Sequence, residues 1–175
     1  MILKDIIDVI EEWAPVENAE DFDNVGLLVG DPKQNVNKAL ITIDTLENVI
    51  DEAIENKCDL IISFHPIIFN GLKKLTQETY VERVVQKAIL NGINIYSVHT
   101  NLDNHLEGVN YQISKRLSLS NTEILIKKNN LEIGMGMIGE LNTGLNELDF
   151  LNYLKEKMDI TAIKHSSFLN KKIRK

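Results

Sequence analysis

The first part of the chain has apolar residues at the spacing of an amphipathic helix, with acidic residues on the opposite side. The apolar positions are Ile6, Ile7, Ile10 and Trp13. Pro15 cannot continue a helix, so we predict that this helix ends just before it. A short apolar run follows at 25–30 and ends in a turn sequence at 30–32.

Strands alternate with helices from residue 38 onward. Short apolar runs, typical of buried strands, are each followed by apolar residues at helical spacing. The predicted strands are 38–43, 59–63 and 93–98, and the predicted helices are 46–54, 81–89 and about 107–117. Alternation of this kind indicates an α/β fold with a mainly parallel sheet and helices on both faces.

The last third of the chain has a weaker pattern. We predict strands at 122–126 and 133–138, a helix at 147–158 and a further strand at 160–163. The sequence GMGMIG, within the second of these strands, matches GxGxxG. A dinucleotide-binding loop lies between a strand and a helix, so we interpret this match as structural. The chain ends soon after the last predicted strand, and we expect that a continuation is missing.

The composition is that of an ordinary globular protein, with 43% hydrophobic and 26% charged residues. The 19 basic and 26 acidic residues give a net charge of −7, which argues against broad nucleic-acid binding and leaves room for metal cations. The single cysteine, Cys58, cannot form an internal disulfide and is interpreted as inert. Without a signal-peptide pattern or a long apolar segment, we expect a soluble, cytoplasmic protein.

Ionisable residues follow the predicted strands. Asp44 comes directly after the first strand of the alternating region, and His65 after the second. His99 comes after the third, with Asp103 four residues later. Ligands of open α/β sheets bind beyond the carboxyl ends of the strands, and parallel strands place all four residues at that rim. Two imidazoles and two carboxylates suit zinc, manganese or iron, so the sequence predicts a divalent-metal site there.

Each of these residues also has a structural interpretation. A lone histidine such as His65 is more often a hydrogen-bonded structural residue than a metal ligand. Asp44 could cap the helix that follows it, and Asp103 could cap the helix near residue 107. Asp23 and Asn24, just before the apolar run at 25–30, are typical of a turn.

Ordered motifs in the chain resemble those of one known family. They are AEDFDNVGLLVG at 19–30, HPIIF at 65–69, and HTNLD at 99–103 followed by GVN at 108–110. Their order and spacing resemble the NIF-three-like dinuclear metal-centre family, whose members are often labelled GTP cyclohydrolase I type 2 homologues. The resemblance runs from residue 1 to about 126 and resumes at 133–141.

The resemblance implies a two-lobed α/β subunit, a pair of divalent metals between the lobes, and a toroidal homohexamer. The family's metal ligands in this half are two adjacent histidines and an aspartate, which map onto positions 64, 65 and 103. Here position 64 is Phe64, which cannot coordinate a metal, while His65 and Asp103 are retained. The family's remaining histidine and glutamate come from a C-terminal segment, which we expect to begin about where this chain ends.

The resemblance also divides the chain. It implies a metal-site lobe at 1–126, a loop at 127–132 where some members insert an extra domain, and the start of a second half at 133–175. From the resemblance and the apolar runs at 27–29 and 67–69, we expect the chain to form a homo-oligomer.

Two functions are compatible with these residues. The first is a metal-dependent hydrolase acting on a nucleotide or another phosphorylated or cyclic substrate. In it, His65 and Asp103 hold the metal, which lowers the pKa of bound water, and His99 orients a ligand or transfers protons. The second is a metal-binding regulatory or interaction protein without turnover, which Phe64 and the absent C-terminal ligands favour.

Overall fold

The structure is a computed structural model that describes residues 1–128 and 132–175. The chain forms two compact units, Met1–Leu102 and Asp103–Lys175. The loop predicted at 127–132 falls partly outside the described residues. None of the helices within the described ranges is both long and apolar enough to cross a membrane.

The first unit contains a four-stranded sheet and the helices that pack on it. Its strands are β1 (Gly26–Val29), β2 (Ala39–Thr42), β3 (Leu60–Ser63) and β4 (Asn94–Ser97). Its helices are α1 (Leu3–Trp13), α2 (Glu47–Glu55) and α3 (Tyr80–Leu90), with a 3-10 helix at Val16–Asn18. A short helix, α4 (Thr100–Asp103), follows β4. The first helix and the order of strands and helices predicted from residue 38 to 98 are confirmed.

The sheet is mixed, so the predicted mainly parallel sheet is not confirmed. The strand order is β1-β4-β3-β2, in which β2, β3 and β4 run parallel while β1 is antiparallel to β4, with Gly26 opposite Ser97. The prediction came from the alternating region, whereas β1 precedes that region and no helix joins it to β2 within residues 30–38. The start of β1 therefore lies at the rim where β3 and β4 end.

Helices cover both faces of this sheet, as predicted. On one face, Leu3 and Ile7 of α1 pack with Leu60 and Tyr96. The other face packs against α2 and α3 through Ile50, Ala53, Val84, Val85, Ile61 and Ile95. Full burial of a large aliphatic side chain stabilises a fold by about 1.5–3 kcal/mol. Packing on both faces therefore fixes the strands, and with them the positions from which the loops at the rim begin.

The second unit is built from short antiparallel strands and two longer helices. Its elements are α5 (Val109–Arg116), β5 (Ser120–Lys127), β6 (Gly134–Glu140), β7 (Leu145–Asn146), α6 (Glu147–Met158) and β8 (Lys172–Ile173). β5 pairs with β6, and β7 pairs with β8. The GxGxxG sequence lies in β6, where a Cβ on Gly134 would meet the Ile126 carbonyl oxygen at 2.0 Å. Its first glycine is therefore needed for strand pairing.

The strand predicted at 160–163 was wrong. Helix α6 ends at Met158, and Asp159 follows it in the left-handed conformation with φ 54°. Ile160 is 44% exposed, and residues 160–163 pair with no strand of the described chain. A strand is stabilised mainly by its neighbours, so a short apolar sequence without a partner does not form one.

Candidate metal centre

His65 and His99 meet at the rim of the mixed sheet. Each histidine follows the end of its strand by two residues, and the two strands are parallel neighbours with Ser63 opposite Ser97. The centroids of the two imidazole rings are 5.5 Å apart, and the ring planes meet at 83°. The convergence expected from parallel strands therefore holds for this pair.

Two buried serines fix the backbone where the strands end. The Ser63 hydroxyl donates to the carbonyl oxygen of His65 at 3.0 Å. The Ser97 hydroxyl donates to the carbonyl oxygen of Phe64 at 3.1 Å. Both serines are fully buried, so these bonds form away from competing water and hold the turn that carries His65.

Asp44 holds the ring of His65. Its Oδ1 lies 2.7 Å from His65 Nδ1, and both side chains are about half exposed. The alternative role of Asp44 as a helix cap was wrong, because α2 has Leu46 at its N-cap and no side chain caps it. Asp44, which follows β2, is therefore the hydrogen-bond partner of His65, which follows β3.

Asp23 holds the ring of His99 in the same way. Its Oδ1 lies 2.9 Å from His99 Nδ1. Its Oδ2 accepts hydrogen bonds from the Thr100 backbone N–H, at 3.0 Å, and from the Thr100 hydroxyl. The side chain of Asp23 is 0% exposed. Sequence reasoning missed this residue, because its position before β1 reaches the rim only when β1 runs antiparallel.

Hydrogen bonds keep the Asp23 carboxylate ionised despite its burial. Burial acts to raise the pKa of Asp23, but hydrogen bonds from His99, Thr100 and Asn24 outweigh it and leave the pKa below its ordinary value. The adjacent Asn24 amide donates to the Ile68 carbonyl oxygen at 2.5 Å. The segment before β1 is thereby joined to the loop after β3 as well as to the loop after β4.

The two carboxylates decide which ring nitrogen of each histidine is available. An ionised carboxylate only accepts hydrogen bonds, so Nδ1 carries the proton in both rings and Nε2 carries the lone pair of the neutral imidazole. Neither Nε2 has a hydrogen-bond partner among the described residues. A carboxylate on the second nitrogen is the usual outer partner of a metal-bound histidine.

Phe64 packs beside both histidines. Its ring centroid is 5.2 Å from that of His65 and 5.3 Å from that of His99. The three rings therefore form a triangle at the ends of β3 and β4. Phe64 offers no lone pair and forms an apolar side of the pair.

Asp103 is the last residue of α4, four residues after His99. Its carbonyl oxygen accepts a hydrogen bond from the Asn110 side chain at 3.0 Å. Capping by Asp103 is not observed, because α5 begins after Gly108 without a side-chain cap. Within residues 1–128 and 132–175, no three His, Cys, Asp or Glu side chains form a group that could hold a metal ion. The pairing of His65 with Asp103 on one metal stays a prediction.

The fold is that of an α/β protein with two histidines at the rim of its sheet, and comparison with known proteins assigns it to one family. The profile of Duf34/NIF3 (NGG1p interacting factor 3) matches residues 1–175. The GTP cyclohydrolase 1 type 2 homolog of Clostridium acetobutylicum is 38% identical over 173 residues, covering 98% of this chain and 65% of that relative. The chain belongs to the Duf34/NIF3 family.

Other relatives extend the same likeness. NIF3-like protein 1 of Bos taurus is 42% identical over 120 residues, which is 68% of this chain and 32% of that protein. A crystal structure of a Staphylococcus aureus protein superimposes with a TM-score of 0.91 at 27% identity, covering 99% of this chain and 70% of that one. The chain thus spans about two thirds of the Clostridium relative's length.

Proposed function

We propose that this chain carries part of the metal site of a metal-dependent hydrolase, as a GTP cyclohydrolase 1 type 2 homologue. The observation that carries the proposal is the pair of histidines whose Nδ1 atoms are bound by carboxylates, His65 by Asp44 and His99 by Asp23. Such anchoring leaves Nε2 free and orients it, as an imidazole ligand requires.

The donor set fits a borderline divalent cation such as zinc, manganese or iron. These metals accept imidazole nitrogen together with carboxylate oxygen. We propose that His65 binds through Nε2 and that Asp103 supplies the carboxylate implied by the family resemblance. When bound, such a cation polarises substrate oxygens and lowers the pKa of water. Asp44 and Asp23 orient the rings, and Phe64 keeps one side of the pair apolar.

The substrate class is proposed from the relatives. Several of them carry the name GTP cyclohydrolase 1 type 2 homolog, which points to a nucleotide or another phosphorylated or cyclic compound. The negative net charge of −7 makes a small-molecule substrate more compatible with this chain than a nucleic acid.

A metal-binding regulatory or interaction protein without turnover is the second candidate. Phe64 favours it, because the family's adjacent histidine pair is reduced here to His65. The family description as an interacting factor is compatible with that role. The two candidates share metal binding and differ only in turnover.

We also propose a cytoplasmic homo-oligomer, a hexamer by resemblance, in which this chain forms the first lobe of a two-lobed subunit. In the apolar runs from which association was expected, Val29 and Ile67 are buried, at 8% and 6% exposure, while Phe69 is 46% exposed. Ile41 and Ile43, in and just after the edge strand β2, are 80% and 65% exposed and are better candidates for contact with a second copy.

Metal analysis of protein purified without chelator or affinity-tag nickel tests the proposal. We expect bound divalent metal in the wild type, less metal in His65→Ala and in Asp103→Asn, and no change in His165→Ala, which alters an exposed histidine. Metal-dependent hydrolysis of a nucleotide panel supports the hydrolase, and bound metal without hydrolysis supports the regulatory protein. Absence of metal binding by the wild type contradicts both.

A further inference from the structure

We propose that His99 is the second imidazole ligand of a single divalent cation that His65 also binds. In this site His99 supplies the nitrogen that Phe64 cannot. The assignment rests on the proposed metal binding and replaces the orienting or proton-transfer role expected for His99. It is carried by two adjacent rings whose Nδ1 atoms are bound by carboxylates on opposite flanks.

The strand order sets the side from which each ring is anchored. β4 and β3 are central, β1 lies beyond β4, and β2 lies beyond β3. Asp23, just before β1, therefore anchors His99 from one flank, and Asp44, just after β2, anchors His65 from the other. Each ring is therefore anchored through Nδ1 on its own flank, which leaves Nε2 of both rings without a hydrogen-bond partner among the described residues.

The spacing of the rings fits two ligands on one cation. Their centroids are 5.5 Å apart. A Zn–N bond of about 2.0–2.1 Å puts a ring centroid roughly 3.2 Å from the metal. Two such rings at a roughly tetrahedral angle have centroids about 5.2 Å apart. Only a small adjustment separates the observed spacing from that of a two-histidine site.

His99 is held more firmly than a surface histidine. Its side chain is 19% exposed, and its partner Asp23 is fully buried. Its backbone N–H donates to Asn101 Oδ1 at 2.9 Å, and the Asn101 amide donates to the Ala14 carbonyl oxygen at 2.8 Å. A ligand held in its binding orientation loses little conformational entropy on binding, so this rigidity favours coordination.

Phe64 limits the pair to one cation. Its ring lies against both imidazoles and brings apolar surface to the place where the family has another ligand. A second divalent charge beside that surface would be poorly solvated and would lack an imidazole donor. We therefore expect one cation per chain at this rim.

Titration of the full chain with cobalt(II) tests the assignment, because the visible absorption of cobalt(II) reports its ligands. We expect one cobalt(II) per chain in the wild type. We expect His99→Ala and His65→Ala each to weaken binding by about 100-fold or more, beyond the roughly 10–100-fold that loss of an outer partner costs. His165→Ala should bind like the wild type. Histidine nitrogen NMR with zinc should show shifts at Nε2 of both rings.

The outcomes separate this assignment from the proposed function. Wild-type affinity and an unchanged cobalt spectrum in His99→Ala would overturn the role of His99 and leave binding by His65 in place. Absence of binding by the wild type would overturn both. The variant His99→Gln has no imidazole but can still donate a hydrogen bond to Asp23, so it tests the same ligand role if His99→Ala does not fold. If His99→Gln keeps its thermal unfolding and still binds like the wild type, His99 is not a ligand.

Discussion

Asp23 accepts a hydrogen bond from His99 across 76 positions of sequence, with 2.9 Å between Oδ1 and Nδ1. The contact depends on β1, which runs antiparallel to β4 and brings the segment before it to the end of β4. The same carboxylate binds Thr100 at the start of α4. One buried charge thus fixes both the ring of His99 and the start of the helix after it.

Removal of this charge should affect stability and metal binding together. We expect Asp23→Asn to lower the free energy of unfolding by about 1–3 kcal/mol, because hydrogen bonds to a buried charged group are weakened. Zinc affinity should fall by roughly 10–100-fold, because His99 loses its orientation. Chemical denaturation and calorimetry measure the two effects. Asp21→Asn, at an exposed neighbour, is the control, and equal losses in both variants would count against this role.

Phe64→His should tighten metal binding. The change restores a histidine next to His65 and adds an imidazole at a position outside the buried core. We expect an affinity gain of at least about tenfold, or about 1.4 kcal/mol, measured by zinc titration in a calorimeter. Phe69→His, at a phenylalanine that is 46% exposed, is the matched control. Equal affinity in the wild type and Phe64→His would show that position 64 does not face the metal.

Glu82 should make stability depend on pH. Its carboxylate accepts hydrogen bonds from the backbone N–H groups of Thr76 and Glu78 and from two threonine hydroxyls. The backbone hydrogen bond from Thr76 is the largest cause that lowers the pKa of Glu82 below its ordinary 4.5. Because the pKa of Glu82 is lower in the folded chain than in the unfolded chain, ionised Glu82 stabilises the fold fully at pH values above the ordinary pKa. This contribution is lost as the pH falls through the folded-state pKa.

Replacement of Glu82 by glutamine should therefore have an effect that depends on pH. At pH 7 Glu82→Gln should be less stable than the wild type, and the difference should shrink as pH falls below about 4.5. Urea denaturation at several pH values measures the difference. Glu55→Gln, at an exposed position of α2, should show no such trend. A difference that stays constant down to pH 3 would exclude ionisation of Glu82 as its source.

Ile41 should matter more for association than for folding. It is 80% exposed on the edge strand β2, where unpaired backbone groups favour pairing with another chain. We expect Ile41→Lys to change the free energy of unfolding by no more than about 0.5 kcal/mol and to shift sedimentation towards smaller species. Val9→Lys, at a β-branched residue of α1 that is 67% exposed, serves as the control. A wild-type protein that sediments only as a monomer would contradict the proposed homo-oligomer.

The elements of the first unit were predictable because its central strands are buried on both faces and its helices bury one face. The runs at 38–43, 59–63 and 93–98 have the short apolar pattern of buried strands, and they became β2, β3 and β4. Parallel neighbouring strands end at the same rim, so the residues directly after them lie close together. For this reason His65 and His99 could be paired from sequence alone.

Sequence periodicity could not reveal the direction of β1 or the partner of Asp44. An apolar run has the same pattern in a parallel and an antiparallel strand, so Asp23 was interpreted as part of a turn. A polar residue directly before a strand, rather than after it, was the available signal for Asp23. Asp44 precedes a helix, so a capping role and a histidine partner were equally compatible with its local sequence.

The antiparallel β1 also bears on when the histidine rim forms. Pairing of β1 with β4 joins residues far apart in sequence and is entropically costly, so we expect the contact of Asp23 with His99 to form late in folding. Local opening of the segment before β1 releases His99 and Thr100 together. The Thr100 amide hydrogen is protected from solvent exchange only while that segment is docked, so its exchange rate directly measures how often the rim comes apart.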